Sequence, residues 1–351
     1  MARPRVLLIG EFSEGALALY YERAFAGAGW VTTRYDMWQG YARTPALSRS
    51  RMLRRALRPF LWHRMSSEVV ARARRQQPEL VVTFKGAFLG AGSVRELRRN
   101  TGGPVVVIYP DNPYGEYTLR PDAISVLAEF DRAYIWGRFL VPRLQRDGVC
   151  SVRYLPFAHD PLDYCPGRTG PAPECGRGHP IVFIGQYYPK REEWLQTLAG
   201  HDVGIWGIGW RHARLAADRG FCIHREQVRG AAAGAVYAGA RVGINILHAQ
   251  NVPAHNMRTF EIPPCRTVML SEATEEVAEF FPPGEACLDA RTPADLRSQV
   301  DRLIQDPALA AALANDGRKR GQSHTYSDRV RAILQDLTLP AALTTAGTPA
   351  R

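Results

Sequence analysis

Short apolar runs rich in β-branched residues recur along the chain, and they are continuous rather than alternating. Six fall before residue 158: Arg5–Gly10, Val31–Asp36, Leu80–Lys85, Val105–Pro110, Arg132–Gly137 and Ser151–Phe157. Helix-like stretches separate most of them. A strand covered on both faces has no reason to alternate, because both rows of its side chains meet apolar neighbours. Strand–helix–strand repetition then predicts a parallel sheet with right-handed crossovers. The pattern lapses over Asp160–His179, a linker-like stretch rich in Pro, Gly and Arg. It resumes at Pro180–Gly185, Asp202–Gly207, Arg241–Leu247, Thr267–Glu272 and Glu285–Ala290. Helices are expected at Glu192–Leu198, Pro293–Gly317 and Ser327–Leu337. The fold class this predicts is α/β, with two Rossmann-like domains whose parallel sheets face each other across a cleft. The first spans 1–158 and the second 159–337, with the last helix available to pack back on the first domain. Residues 338–351 read as a flexible tail.

Ligands of open parallel sheets bind beyond the carboxyl ends of the strands, so candidate chemistry is sought there. The first strand ends in Gly10-Glu11-Phe12-Ser13-Glu14-Gly15, a loose glycine turn that is not a dinucleotide fingerprint. The fourth ends in Tyr109-Pro110-Asp111-Asn112-Pro113, where Asp111 is placed either to accept a proton from an acceptor hydroxyl or to cap the turn. In the second half, Gly185-Gln186-Tyr187-Tyr188-Pro189-Lys190-Arg191 sets a glycine turn and two cations at a helix start, which suits a diphosphate. Further on, a polar loop runs from His248 through His255, Asn256, Arg258 and Glu261. Arg258 and Glu261 share a helix face at this spacing. They offer a cation for phosphate and a carboxylate for ribose hydroxyls, or a plain surface ion pair. Pro263 and Pro264 force the helical turn to begin late or end early.

At this point the residues resemble a family. The stretch Arg258-Thr259-Phe260-Glu261-Ile262-Pro263-Pro264-Cys265 looks like the R-x-F-E-I-P-A-C-G block of CgeB-like glycosyltransferases, relatives of the family 4 enzymes. So do Phe280-Phe281-Pro282-Pro283-Gly284-Glu285-Ala286, the ending His324–Arg329, the junction Leu155–Pro161 and the turn Asp111-Asn112-Pro113. The resemblance implies a GT-B fold and transfer of a sugar from a nucleoside-diphosphate sugar to an unknown acceptor. It implies that Glu261 meets the ribose and that Arg258, with Arg191 or Lys190, faces the diphosphate; Gly185, His255 and Asn256 are further candidates for the same donor site. No metal and no other cofactor is required, because cations and a helix end take the metal's place. An inverting reaction would need a base, with Asp111 first and His159 or His255 second; a retaining one would not. Two positions depart from the pattern: Pro253 stands where family 4 enzymes carry an acidic residue, and Arg266 stands where a glycine follows Ala-Cys. They keep two rivals in view: a nucleotide-sugar epimerase or hydrolase on the same fold, and a non-catalytic nucleotide-sugar-binding protein.

Composition changes this picture little. No apolar run approaches the ~20 residues of a membrane-spanning helix, and the first residues lack a signal-peptide pattern, so a cytoplasmic protein is expected. The net charge of +11 comes from 42 Arg and only 3 Lys, a skew that fits the codon usage of a GC-rich bacterial genome better than a polyanion partner. With no supporting motif, nucleic acid is not an expected partner. Ten of the arginines crowd Ala42–Gln77, where Leu53, Leu57, Phe60, Leu61 and Met65 recur at helical spacing. That pattern fits a solvated helix on the acceptor side, or peripheral contact with an anionic membrane. The six cysteines form no CxxC pair, which argues against zinc and for free thiols, although Cys165 and Cys175 flank the Pro/Gly-rich loop.

Overall fold

The structure, a computed structural model, describes residues 3–42, 51–115, 118, 120–165, 178–224 and 226–340, with side chains described outside 40–56. The tail beyond 340, Cys175, most of the linker, and the side chains of Arg43, Arg49, Arg51, Leu53, Arg54 and Arg55 therefore lie outside the described residues. The chain forms two compact units. One holds residues up to Pro156 and from Tyr326 onward; the other holds Phe157–Thr325.

The first unit is built on six strands: β1 Arg5–Gly10, β2 Val31–Asp36, β3 Leu80–Phe84, β4 Val105–Tyr109, β5 Arg132–Ile135 and β6 Val152–Tyr154. They pair in the order β2-β1-β3-β4-β5-β6, every pair parallel. The central strands β3 and β4 are buried at every residue, as continuous apolar runs require. The helix Tyr326–Asp336 belongs to this unit. Its Tyr326 ring stacks on Tyr20 at 5.1 Å, and Asp336 accepts hydrogen bonds from Arg132 Nε at 3.0 Å and from the Tyr134 hydroxyl at 2.8 Å.

The second unit carries β7 Ile181–Ile184, β8 Val203–Trp206, β9 Phe221–His224, β10 Val242–Asn245, β11 Val268–Glu272 and β12 Leu288–Ala290. The order is β12-β11-β10-β7-β8-β9, again all parallel. Alternate positions Ile181, Phe183, Val203, Ile205 and Phe221 enter one core with Leu296, Val300 and Leu313 from the helices that follow β12. Two expectations need correction. Strand β9 was not expected, because its Phe-Cys-Ile-His sequence is half exposed at a sheet edge and lacks a continuous apolar run. The expected helix Pro293–Gly317 is two helices, Pro293–Gln305 and Pro307–Gly321. Pro307 cannot donate to the first, and Asp306 starts the second by accepting from the Leu309 amide at 2.9 Å.

The basic stretch forms the helix Arg51–Gln76. Of its expected apolar stripe, Leu61 and Met65 are buried, together with Val69 and Ala73 one and two turns on. Those side chains are spent on the domain core and are not available to a lipid surface; Leu57 and Phe60 remain exposed. No described helix is long and apolar enough to cross a membrane.

Candidate donor site of the second unit

The loop after β7 is shaped by Gly185. A Cβ there would lie 2.9 Å from the Phe183 ring and 3.1 Å from Arg191 Nη1, so only glycine lets that guanidinium come so close to the strand end. Gly185 is fixed on both sides: its amide donates to Trp206 O at 2.9 Å, and its carbonyl accepts from Trp210 Nε1 at 2.7 Å. The helix Pro189–Gln196 follows, with Pro at its first position.

Arg191 is buried. It ties two strand ends together, donating from Nε to Ile246 O at 3.1 Å and from Nη1 to Gln186 O at 2.7 Å. Its guanidinium also lies 5.0 Å from the Tyr188 ring centroid. Burial draws its pKa down to about 10; Tyr188 and Glu272 oppose that, and the neighbouring Arg258 adds to it. Lys190 donates to Glu272 Oε1 at 2.5 Å, and the other oxygen of Glu272 accepts from the Leu247 amide at 3.0 Å. Glu272 thus anchors Lys190 and the loop after β10 together, a role that nothing in its local sequence indicates.

Arg258 and Glu261 lie on a single helical turn, Arg258–Glu261, followed by a tighter turn over Pro263–Cys265. The turn both starts late and ends early: Asn256 Oδ1 accepts from the Thr259 amide at 3.1 Å at its start, and the proline pair closes it. Arg258 Nη1 donates to Glu261 Oε2, and Arg258 Nε donates to Ile184 O at 3.2 Å. The Glu261 side chain is 1% exposed and that of Arg258 26%. Burial opposes the Arg258 charge, but Glu261, Tyr237 and Tyr164 outweigh it and hold its pKa above the ordinary value. Tyr237, from the Ala-rich helix Gly230–Ala238, is fully buried beside Arg258, Glu261 and Arg191, and burial pushes its own pKa up. Gly185, Lys190, Arg191, Arg258 and Glu261 therefore gather around the carboxyl ends of β7 and β10.

The remaining candidates are placed differently. Asn256 supports the loop, donating from Nδ2 to Asn245 Oδ1 at 2.8 Å. His255 has no exposed surface; its Nε2 accepts from the Phe157 amide at 3.2 Å, which puts the proton on Nδ1, 2.8 Å from Glu276 Oε2. Phe157, Phe260 and Phe280 meet this ring edge-on. His159 is buried with Nδ1 3.0 Å from His324 O. Asp111 is in the first unit, beyond β4, paired with Lys85 beyond β3. Lys85 holds a left-handed φ of 61°, which turns the chain sharply at the strand end. Asp111 and burial together push the Tyr109 hydroxyl up to about 12, burial contributing more. In the same unit, Arg58, Trp62, His63, Phe88 and Arg120 line a cavity of about 340 Å³, with both guanidinium groups stacked on the Trp62 ring.

Arg266 caps the turn over Pro263–Cys265 in a left-handed conformation, φ 61° and ψ 31°, and is exposed. That conformation costs a non-glycine residue about 1–2 kcal/mol, partly offset by the unfolded-state entropy a glycine would add. Arg266→Gly is expected to raise stability by about 0.5–1 kcal/mol. A thermal melt should show a midpoint higher by a few degrees; a lower midpoint would mean that the arginine contributes contacts outweighing its strain.

Residues 190–335 match the family model described as "Glycosyl transferase-like". No curated protein matches. Among solved structures, sucrose-phosphate synthase from Thermosynechococcus elongatus is 15% identical, covering 96% of this chain and 99% of that one at a TM-score of 0.67. Anabaena HepE in complex with UDP-glucose is 12% identical, covering 95% and 99% at 0.64. A glycosyltransferase from Rickettsia africae is 10% identical, covering 99% and 100% at 0.60. At such identities the likeness establishes the fold, which is GT-B, with two Rossmann-like domains of six parallel strands each. The chain thus has a GT-B fold, and its residues 190–335 match a family model described as glycosyl transferase-like.

Proposed function

We propose that this protein transfers a sugar from a nucleoside-diphosphate sugar to an acceptor without a metal ion at the donor site. The observation carrying this reading is the convergence of Arg191, Arg258, Lys190 and Glu261 on the carboxyl ends of β7 and β10. In this reading the guanidinium groups and the start of the helix Pro189–Gln196 offset the charge that grows on the leaving diphosphate. Because their hydrogen bonds to Ile246, Gln186 and Ile184 carbonyls hold them in place, little reorganisation is needed as that charge develops. Glu261 Oε2 is taken by Arg258, so Oε1 is the oxygen that accepts a ribose hydroxyl. His255, His159 and Asn256 act as positioning residues for the loop and the chain entering the second unit. Asp111, paired with Lys85, is the base if transfer inverts the anomeric centre. The acceptor binds the first unit, and the Arg58–Trp62–Arg120 cavity suits one that carries negative charge.

UDP is the nucleotide bound in the HepE complexes, and a UDP-sugar is the donor we expect here. Purified protein should melt at higher temperature with a UDP-sugar than with GDP- or dTDP-sugars, and a chelator should not abolish the shift. No shift with any nucleotide sugar would reject the reading. Release of free sugar without acceptor would favour a hydrolase on the same site.

A further inference from the structure

We propose that the second unit holds a zinc site formed by His179, Cys222 and His224, apart from the donor-site residues. The two ligands on β9 are separated by one residue, so their side chains leave the same face of the strand. That face is opposite to the one on which Phe221 joins the main core. Cys222 and His224 sit beside Gly204 and Trp206 of β8 in register. A Cβ at Gly204 would lie 2.5 Å from His179 Cδ2 and 2.6 Å from Trp206 Cζ3, so the missing side chain is the space the His179 ring fills. The His224 ring stacks flat on Trp206, centroids 4.0 Å apart at 2°, which fixes the direction of its Nε2.

The ligand atoms converge. His179 Nε2 and His224 Nε2 are 3.2 Å apart. Two nitrogens bound to one tetrahedral zinc at about 2.0–2.1 Å stand about 3.3–3.4 Å apart, so the imidazoles are already at ligand spacing. All three ligand atoms lie within 4.8 Å of one another. Sulfur and nitrogen on one zinc stand about 3.6 Å apart, so a bound ion would draw the Cys222 thiolate closer to the two imidazoles. The second shell is also present: His179 Nδ1 is hydrogen-bonded to the Asp202 carboxylate. That contact puts the proton on Nδ1 and turns the Nε2 lone pair toward the cluster, as in carboxylate–histidine–zinc arrangements. A thiolate with two imidazoles is a donor set suited to zinc. The fourth position is left to water, and because β9 is the edge strand of the sheet, a bound ion would clip that edge to the segment entering β7.

Untagged full-length protein, stripped with a chelator and dialysed, should bind one equivalent of Zn²⁺ by calorimetry. With Co²⁺ it should develop a thiolate-to-cobalt charge-transfer band. Cys222→Ser should remove the band, and Asp202→Asn should weaken Zn²⁺ binding about 10–100-fold. Both positions are exposed, so circular dichroism of the variants is expected to match wild type. Absence of stoichiometric binding, or binding unchanged in Cys222→Ser, overturns the proposal. Neither readout depends on sugar transfer.

Discussion

Glu261→Ala is expected to weaken donor binding and so reduce the donor-induced thermal shift, and to destabilise the second unit. The carboxylate is buried against Arg258, whose Nε reaches only one carbonyl, that of Ile184. Removing one member of a buried pair leaves the other charge uncompensated, at a cost of about 3–5 kcal/mol. Arg258 keeps a quarter of its side chain in contact with solvent, so the lower end of that range, about 3 kcal/mol, is expected here. The same change removes a charged acceptor for the donor's ribose, about 1.5–3 kcal/mol, or roughly ten- to hundredfold in affinity. The two effects separate when donor affinity is measured by calorimetry well below the melting transition. Glu261→Gln tests the division further, since it preserves shape while losing the charge. Donor affinity unchanged in folded Glu261→Ala would remove this residue from the site and leave the pair a structural one.

Arg191→Lys is expected to lower kcat by about 10²–10³-fold, the effect of losing one well-placed donor to a developing negative charge. The substitution keeps the charge but not the fork. A guanidinium bridges Ile246 O and Gln186 O and has further N–H groups left to donate. An ammonium cannot hold that geometry and stack on Tyr188. Stability should fall by about 1–3 kcal/mol, because one buried carbonyl loses its donor. Steady-state kinetics distinguish the roles: a transition-state contact lowers kcat with little change in KM. A variant that melts earlier but turns over like wild type would assign Arg191 to the fold alone.

Eleven of the twelve strands among the described residues were legible as apolar or β-branched runs, most plainly the central ones, where burial on both faces leaves the same mark. The exception, β9, is an edge strand whose outward face carries Cys222 and His224 in place of apolar residues. The position of Arg258 and Glu261 just beyond a buried strand was legible too, since it follows from the apolar run before them. The prolines 263 and 264 marked a broken helix, but only the hydrogen bonds of Asn256 and Thr259 show a single turn closed at both ends.

What the chain order alone determined is the α/β architecture and the strand ends at which Gly185, Lys190, Arg191, Arg258 and Glu261 stand. These follow from local periodicity and from residues a few positions apart. What only the tertiary structure decided is which charges meet. The pairings of Lys190 with Glu272, Lys85 with Asp111, and His255 with Glu276 and the Phe157 amide join segments distant in sequence. Convergence of His179 with Cys222 and His224 is of the same kind. It depends on parallel register across β7, β8 and β9 and on a glycine that makes room. Neither leaves a spacing motif in the sequence, because a parallel sheet brings together residues whose separation is set by the intervening crossover.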